Sequence, residues 1–91
     1  MRDLVERLYA VQPREDVAVE AADGTRVEGR PSRIDRDEAG IRIEVCPGDR
    51  DAPQYRVRAD RTPDGWRAPR VERRPIGGDW ERVGRLTAVE R

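Results

Sequence analysis

The stretch of this chain best suited to chemistry runs from Gln54 to Arg74. It holds seven arginines, at positions 56, 58, 61, 67, 70, 73 and 74, against Asp60, Asp64 and Glu72, a local balance of +4. Tyr55 and Trp66 stand among them. Guanidiniums can follow a phosphate backbone while neighbouring aromatic rings stack on bases. That combination makes Arg56, Arg58, Arg67, Arg70 and Arg73, with Tyr55 and Trp66, the candidate nucleic-acid-binding residues. The plain alternative is a solvated sheet face, because alternation along a strand already turns Arg56 and Arg58 outwards. Its counter-charges would come from the rest of the chain, which carries −4.

Other reactive groups are sparse. Cys46 ends an alternating run and precedes Pro47-Gly48, but the chain has no His to serve it as a base. Arg42 or Arg56 could lower its pKa, yet a strand-end thiol needs no such role. Catalysis would have to rest on carboxylates alone, and no pair stands out among the 19 acidic residues. Asp35, Asp37, Glu38 and Gly40 partly match a calcium loop. The fifth position is then Ala39 and the twelfth is Cys46 in place of a bidentate Glu, so a solvated acidic turn accounts for them. One Cys and no His exclude an intrachain disulfide and leave no ligand set for structural zinc. The reading is therefore a non-enzyme with no catalytic residues, no metal and no cofactor.

Composition narrows the class further. With 91 residues the chain is one domain's worth, and a domain this short buries only about 60–65% of its unfolded surface. Charged residues make up 42% and hydrophobic ones 35%, with no Phe. The 19 basic residues balance the 19 acidic ones, so no whole-chain field draws the protein to nucleic acid or membrane. All the basic residues are Arg, for which GC-rich coding is the plain reason. No apolar run approaches the roughly 20 residues that span a bilayer. Met1-Arg2-Asp3 does not open a secretion signal, and a cytoplasmic location is expected.

The elements that must position the basic stretch can be read in order. Residues 3–12 form a short helix, with Leu4, Val5, Leu8, Tyr9 and Val11 on one face and Asp3 with Glu6 as a capping box. Pro13 stops it. Residues 16–45 supply the first three strands. Val17, Val19 and Ala21 alternate with polar neighbours, Asp23-Gly24 signals a two-residue turn, and Val27 resumes the apolar face. The second strand changes parity between Val27 and Ile34, which calls for a bulge or bend near Gly29-Arg30-Pro31. Ile41, Ile43 and Val45 form the third strand, and Cys46 to Pro53 a loop. Gln54–Asp60 and Trp66–Arg73 make the basic 54–74 hairpin; Pro69 points to an edge position for its second strand. Asp79 could cap a helix carrying Trp80, Val83 and Leu86, but Gly84, Thr87 and Val89 favour a closing strand within 80–90, centred on Val83 to Val89. The two Trp are read as core or edge-covering side chains.

With a helix first and then DVAVEAADGTRVEGRPSRID, the chain resembles the first half of an Sm-like domain. In that family a short helix precedes a strongly bent five-stranded barrel. Its first motif runs strand, turn, strand, then a Gly separated by five residues from an Asp; Gly29 and Asp35 hold those places. The resemblance covers roughly residues 3–45. It departs after Asp35, where Arg36-Asp37 replaces an apolar residue and an Asn, and Gly84-Arg85 is the nearest counterpart of the second motif. The chain is similar to SH3-like small barrels as well.

The expectation is a single mainly-β domain over 1–91, a small, strongly bent barrel of five or six strands with an N-terminal helix. It reads as a binding module for RNA or single-stranded nucleic acid through the 54–74 hairpin. The alternative is a protein-interaction or self-assembly module using an edge strand or the Trp surface, without nucleic acid. No membrane partner is expected.

Overall fold

The computed structural model describes residues 2–46 and 52–90, with side chains from Leu4 onward. The helix begins at Arg2, so Asp3 lies inside its first turn and not at the cap position expected of it; the centre of the Cys46–Pro53 loop lies outside the described residues. The order is α1 (Arg2–Ala10), β1 (Val17–Ala21), β2 (Arg26–Asp37), β3 (Gly40–Cys46), β4 (Gln54–Thr62), β5 (Gly65–Trp66), β6 (Arg70–Arg74) and β7 (Glu81–Glu90). Every pairing is antiparallel. The ring runs β1, β2, β3, β4, β6, β7 and back to β1, so six strands close a barrel. β5 pairs only with the far end of β4 and lies outside the ring.

Alternation creates the inside. Val17, Val19, Val27, Ile41, Ile43, Val45, Val57, Ala59, Val71, Leu86 and Val89 all point inwards and are buried. The helix supplies the remainder: Val5, Leu8 and Val11 are buried in the same core, and α1 packs on β7 and β3. A helix of nine residues is too short to stand alone in water, so this docking is what keeps it folded. It ends at Ala10, ahead of Pro13, and Arg36 holds that end by donating from Nη2 to the carbonyls of Tyr9 and Val11, each at 2.9 Å. Tyr9 also meets Trp66 edge-on at 5.9 Å, which joins the helix to β5.

Breaks in register let so few strands close. β2 pairs with β1 through Gly29 and with β3 from Arg30 onward, and its register shifts between Pro31 and Arg33. The expected parity change is thus resolved just beyond Pro31. β7 is shared in the same way: its first half pairs with β6 and its second with β1, with shifts opposite Val71/Glu72 and Glu20/Ala21. Residues 81–90 are therefore strand and not helix.

Two sequence expectations need correction. The β1–β2 connection is a three-residue loop, Ala22 to Gly24, and not a two-residue turn. Ala21 N–H donates to Thr25 O at 2.9 Å, Gly24 N–H to Ala21 O at 3.0 Å, and Gly24 takes φ +94°. The strand expected from Trp66 to Arg73 is split by Pro69 into β5 and β6, and β6 is interior, flanked by β4 and β7. Pro69 does not force an edge because it precedes β6; its missing N–H costs the ladder nothing, and its carbonyl accepts from Leu86 N–H at 2.8 Å.

Two substitutions test this architecture by denaturant or thermal unfolding. Leu8→Ala should cost about 2–4 kcal/mol, since it opens a cavity beneath the helix; an unchanged midpoint would mean an undocked helix. Gly24→Val should cost about 1 kcal/mol or more through its positive φ alone, because an added Cβ there meets nothing within 4 Å.

Candidate nucleic-acid interface

Register places the outward side chains of four neighbouring strands in rows. Arg42 on β3 faces Arg58 on β4, Arg58 faces Arg70 on β6, and Arg70 faces Arg85 on β7. Neighbouring strands lie about 4.8 Å apart, so the row spans about 14 Å. One row over, Glu44, Arg56, Glu72 and Arg82 alternate in sign across the same strands. Counting Asp60 and Arg74, the outward positions of β3, β4, β6 and the first half of β7 carry seven Arg against three carboxylates, a balance of +4.

Like charges directly opposite one another destabilise a sheet, and carboxylates set between them offset that. Asp60 accepts from Arg58 Nε at 2.7 Å and from Arg70 Nη1 at 3.0 Å. Glu72 accepts from Arg70 Nε at 3.3 Å and from Arg56 at 2.8 Å (Nε) and 2.6 Å (Nη2). Arg42 donates to Asp37 at 2.6 Å. Glu72, Arg56 and Asp60 are only 12%, 17% and 18% exposed at the side chain, so this is a half-sheltered network. Burial pushes the Asp60 carboxyl up, but the hydrogen bonds from Arg58 and Arg70 outweigh it and hold the group below its ordinary value. The Arg42 hydrogen bond, helped by Ala39 N–H, does the same for Asp37.

The residues singled out from sequence are distributed as follows. Arg56, Arg58 and Arg70 share this face and one network. Arg67 sits beside Asp60, whose carbonyl accepts its N–H at 2.9 Å, and is exposed at the margin. Arg73 has the inward parity of its partner Tyr55 but is exposed near the end of β6, paired with Glu81 at 2.6 Å. Tyr55 and Trp66 are half-buried against the core and are not part of the arginine row. Arg42, Arg82, Arg85 and Trp80 belong to the outward face and were not singled out. The aromatic ring on this face is Trp80, with the Arg56 guanidinium 4.2 Å from its centroid and that of Arg74 at 5.2 Å. Arg82 and Arg85 are exposed and have no acidic partner among the described residues.

Elsewhere Cys46 is an exposed free thiol at the end of β3. Asp35 pairs with Arg33 at 2.8 Å, and no three potential metal ligands come together among the described residues. No described helix is long and apolar enough to cross a membrane. Compared with known proteins, the chain matches no family model, no curated protein and no solved structure to a significant degree.

The network has a pH signature. Because Asp60 is depressed in the folded state, its contribution is present above the unfolded value of about 3.9 and is lost as pH falls through the lower folded value. Asp60→Asn should lower the melting temperature at about pH 7, and its deficit against the wild type should shrink below about pH 4. A deficit that stays constant on acidification would mean that Asp60 adds no charge-dependent stability.

Proposed function

We propose that this protein is a small non-enzymatic binding module that takes nucleic acid, RNA in particular, on the outward face of β3, β4, β6 and β7. The observation that carries the reading is the row Arg42–Arg58–Arg70–Arg85. A guanidinium has five donors, and the network uses only some of those on Arg58 and Arg70. What remains is pre-positioned by Asp60 and Glu72 for a phosphate oxygen, the planar acceptor geometry that Arg suits better than Lys. Phosphate contacts of this kind position a strand without reading its sequence.

The closed, strongly bent barrel with a leading helix is compatible with an Sm-like or SH3-like type, and Sm-like is the assignment we favour. The exposed, unpaired Cys46 fits a reducing cytoplasm. A second reading, a protein-docking or self-assembly module, draws on Ile76, which is 70% exposed on the β6–β7 connection.

Salt separates the two. Binding to mixed RNA and DNA strands should weaken steeply as salt rises, whereas apolar docking should hold or tighten. Arg82→Gln with Arg85→Gln should weaken binding across unrelated sequences. The log–log salt slope should fall by roughly 1.4–1.8, two contacts at about 0.7–0.9 each. The melting temperature should change little, since neither Arg has an acidic partner among the described residues. No binding at low salt, together with a solution mass above that of the monomer, would favour the docking reading instead.

A further inference from the structure

Trp80 lies on the outward face, next to the arginine row, and not in the core. It precedes β7 by one residue and is half-buried. The two guanidiniums that meet its ring are held differently. Arg56 is fixed on Glu72 by two short contacts and is among the least exposed arginines of the face. Arg74 is exposed, and beyond the ring its side chain bonds only to Gln54 among the described residues. The indole therefore rests against an anchored cation, with a loosely tethered one beside it.

Such a platform can do something that arginines alone cannot. Indole offers the broadest π-surface of any side chain, and an unpaired base stacks on it regardless of identity. In a duplex the base faces are already covered by their neighbours. Tyr55 and Trp66 are half-buried against the core, and Trp66 also meets Tyr9, which leaves Trp80 as the aromatic on this face among the described residues.

Resting on the nucleic-acid reading above, we infer that Trp80, backed by Arg56 and flanked by Arg74, is a stacking site for one unpaired base. The face accordingly takes single strands in preference to duplexes. The strand's phosphates follow the Arg42–Arg58–Arg70–Arg85 row while one base turns onto the indole, and Arg74 moves to make room or adds its own plane to the stack.

The test uses the whole chain and three probes at low salt: an oligothymidylate of about 12 nucleotides, a duplex of similar length, and inorganic polyphosphate. The single strand should bind tightest and quench tryptophan fluorescence, and that quenching should vanish in Trp80→Phe, where only Trp66 emits. Trp80→Leu keeps an apolar cover over Arg56 but removes the ring. It should weaken single-strand binding by roughly tenfold or more, leave polyphosphate binding unchanged, and be largely rescued by Trp80→Phe. If all three probes bind alike and Trp80→Leu changes none of them or all equally, the stacking site is refuted while the nucleic-acid reading stands. If no probe binds, both are refuted.

Discussion

A six-stranded barrel must close around the side chains it can bury, and this chain has few large ones to offer. It contains no Phe, and the largest fully buried residues are Leu and Ile, followed by Val. A core that small pulls the strands close. An added Cβ at Gly40 would sit 2.0 Å from the Ala59 carbonyl oxygen, and one at Gly29 would sit 2.7 Å from that of Cys46. Neither position could carry a side chain without backbone movement. The same shortage explains the helix, since Val5, Leu8 and Val11 fill volume that the strands leave empty. It also leaves the aromatic rings at the rim or outside, because the interior has no room for them.

Charge follows from the same geometry. With 42% charged residues and no buried polar or charged side chain among those described, the outside of the ring must carry the charge. On a closed sheet those side chains cannot spread apart. They stand in rows at strand spacing, and rows of Arg require carboxylates between them. Most such pairs contribute about 0–1 kcal/mol when exposed. The half-sheltered Asp60 and Glu72 differ, because removing one leaves two guanidiniums short of a partner. Their effect is as much on position as on stability: they fix where Arg56, Arg58 and Arg70 present their remaining donors.

Local patterns were readable in the sequence, and long-range register was not. Val17, Val19 and Ala21 and the Leu4–Val11 stripe each specify a nearby geometry and formed as expected, while the Asp-Gly signal located the hairpin but not the length of its loop. The barrel's curvature was readable too, from the parity conflict between Val27 and Ile34. Pro69 misled because its consequence depends on whether it falls inside a strand or just before one. The arginine row was hidden for a deeper reason. Arg42, Arg58, Arg70 and Arg85 are 16, 12 and 15 residues apart in sequence, and only the registers of three strand pairs bring them into line. The shift opposite Val71/Glu72 sets Arg82 and Arg85, which flank Val83 and Gly84, on one face, where strict alternation would oppose them. Trp80 was read as a covering residue because its arginine partners are 24 and 6 residues away and meet it only through that same closure.

Electroneutrality conceals a segregation that closure creates. Across the ring from β4, Glu20 on β1, Glu28 on β2 and Glu90 at the end of β7 cluster around Arg26, a local balance of −2. The opposite side carries +4 on β3, β4, β6 and the first half of β7. On the nucleic-acid reading proposed above, a polyanion within a Debye length of about 8–10 Å would be repelled by one side and drawn to the other, and so oriented before contact. Net charge therefore says little about this protein's partners. A neutral chain folded into a closed barrel can present a basic face on one side and an acidic cluster on the other, and its net charge reveals neither.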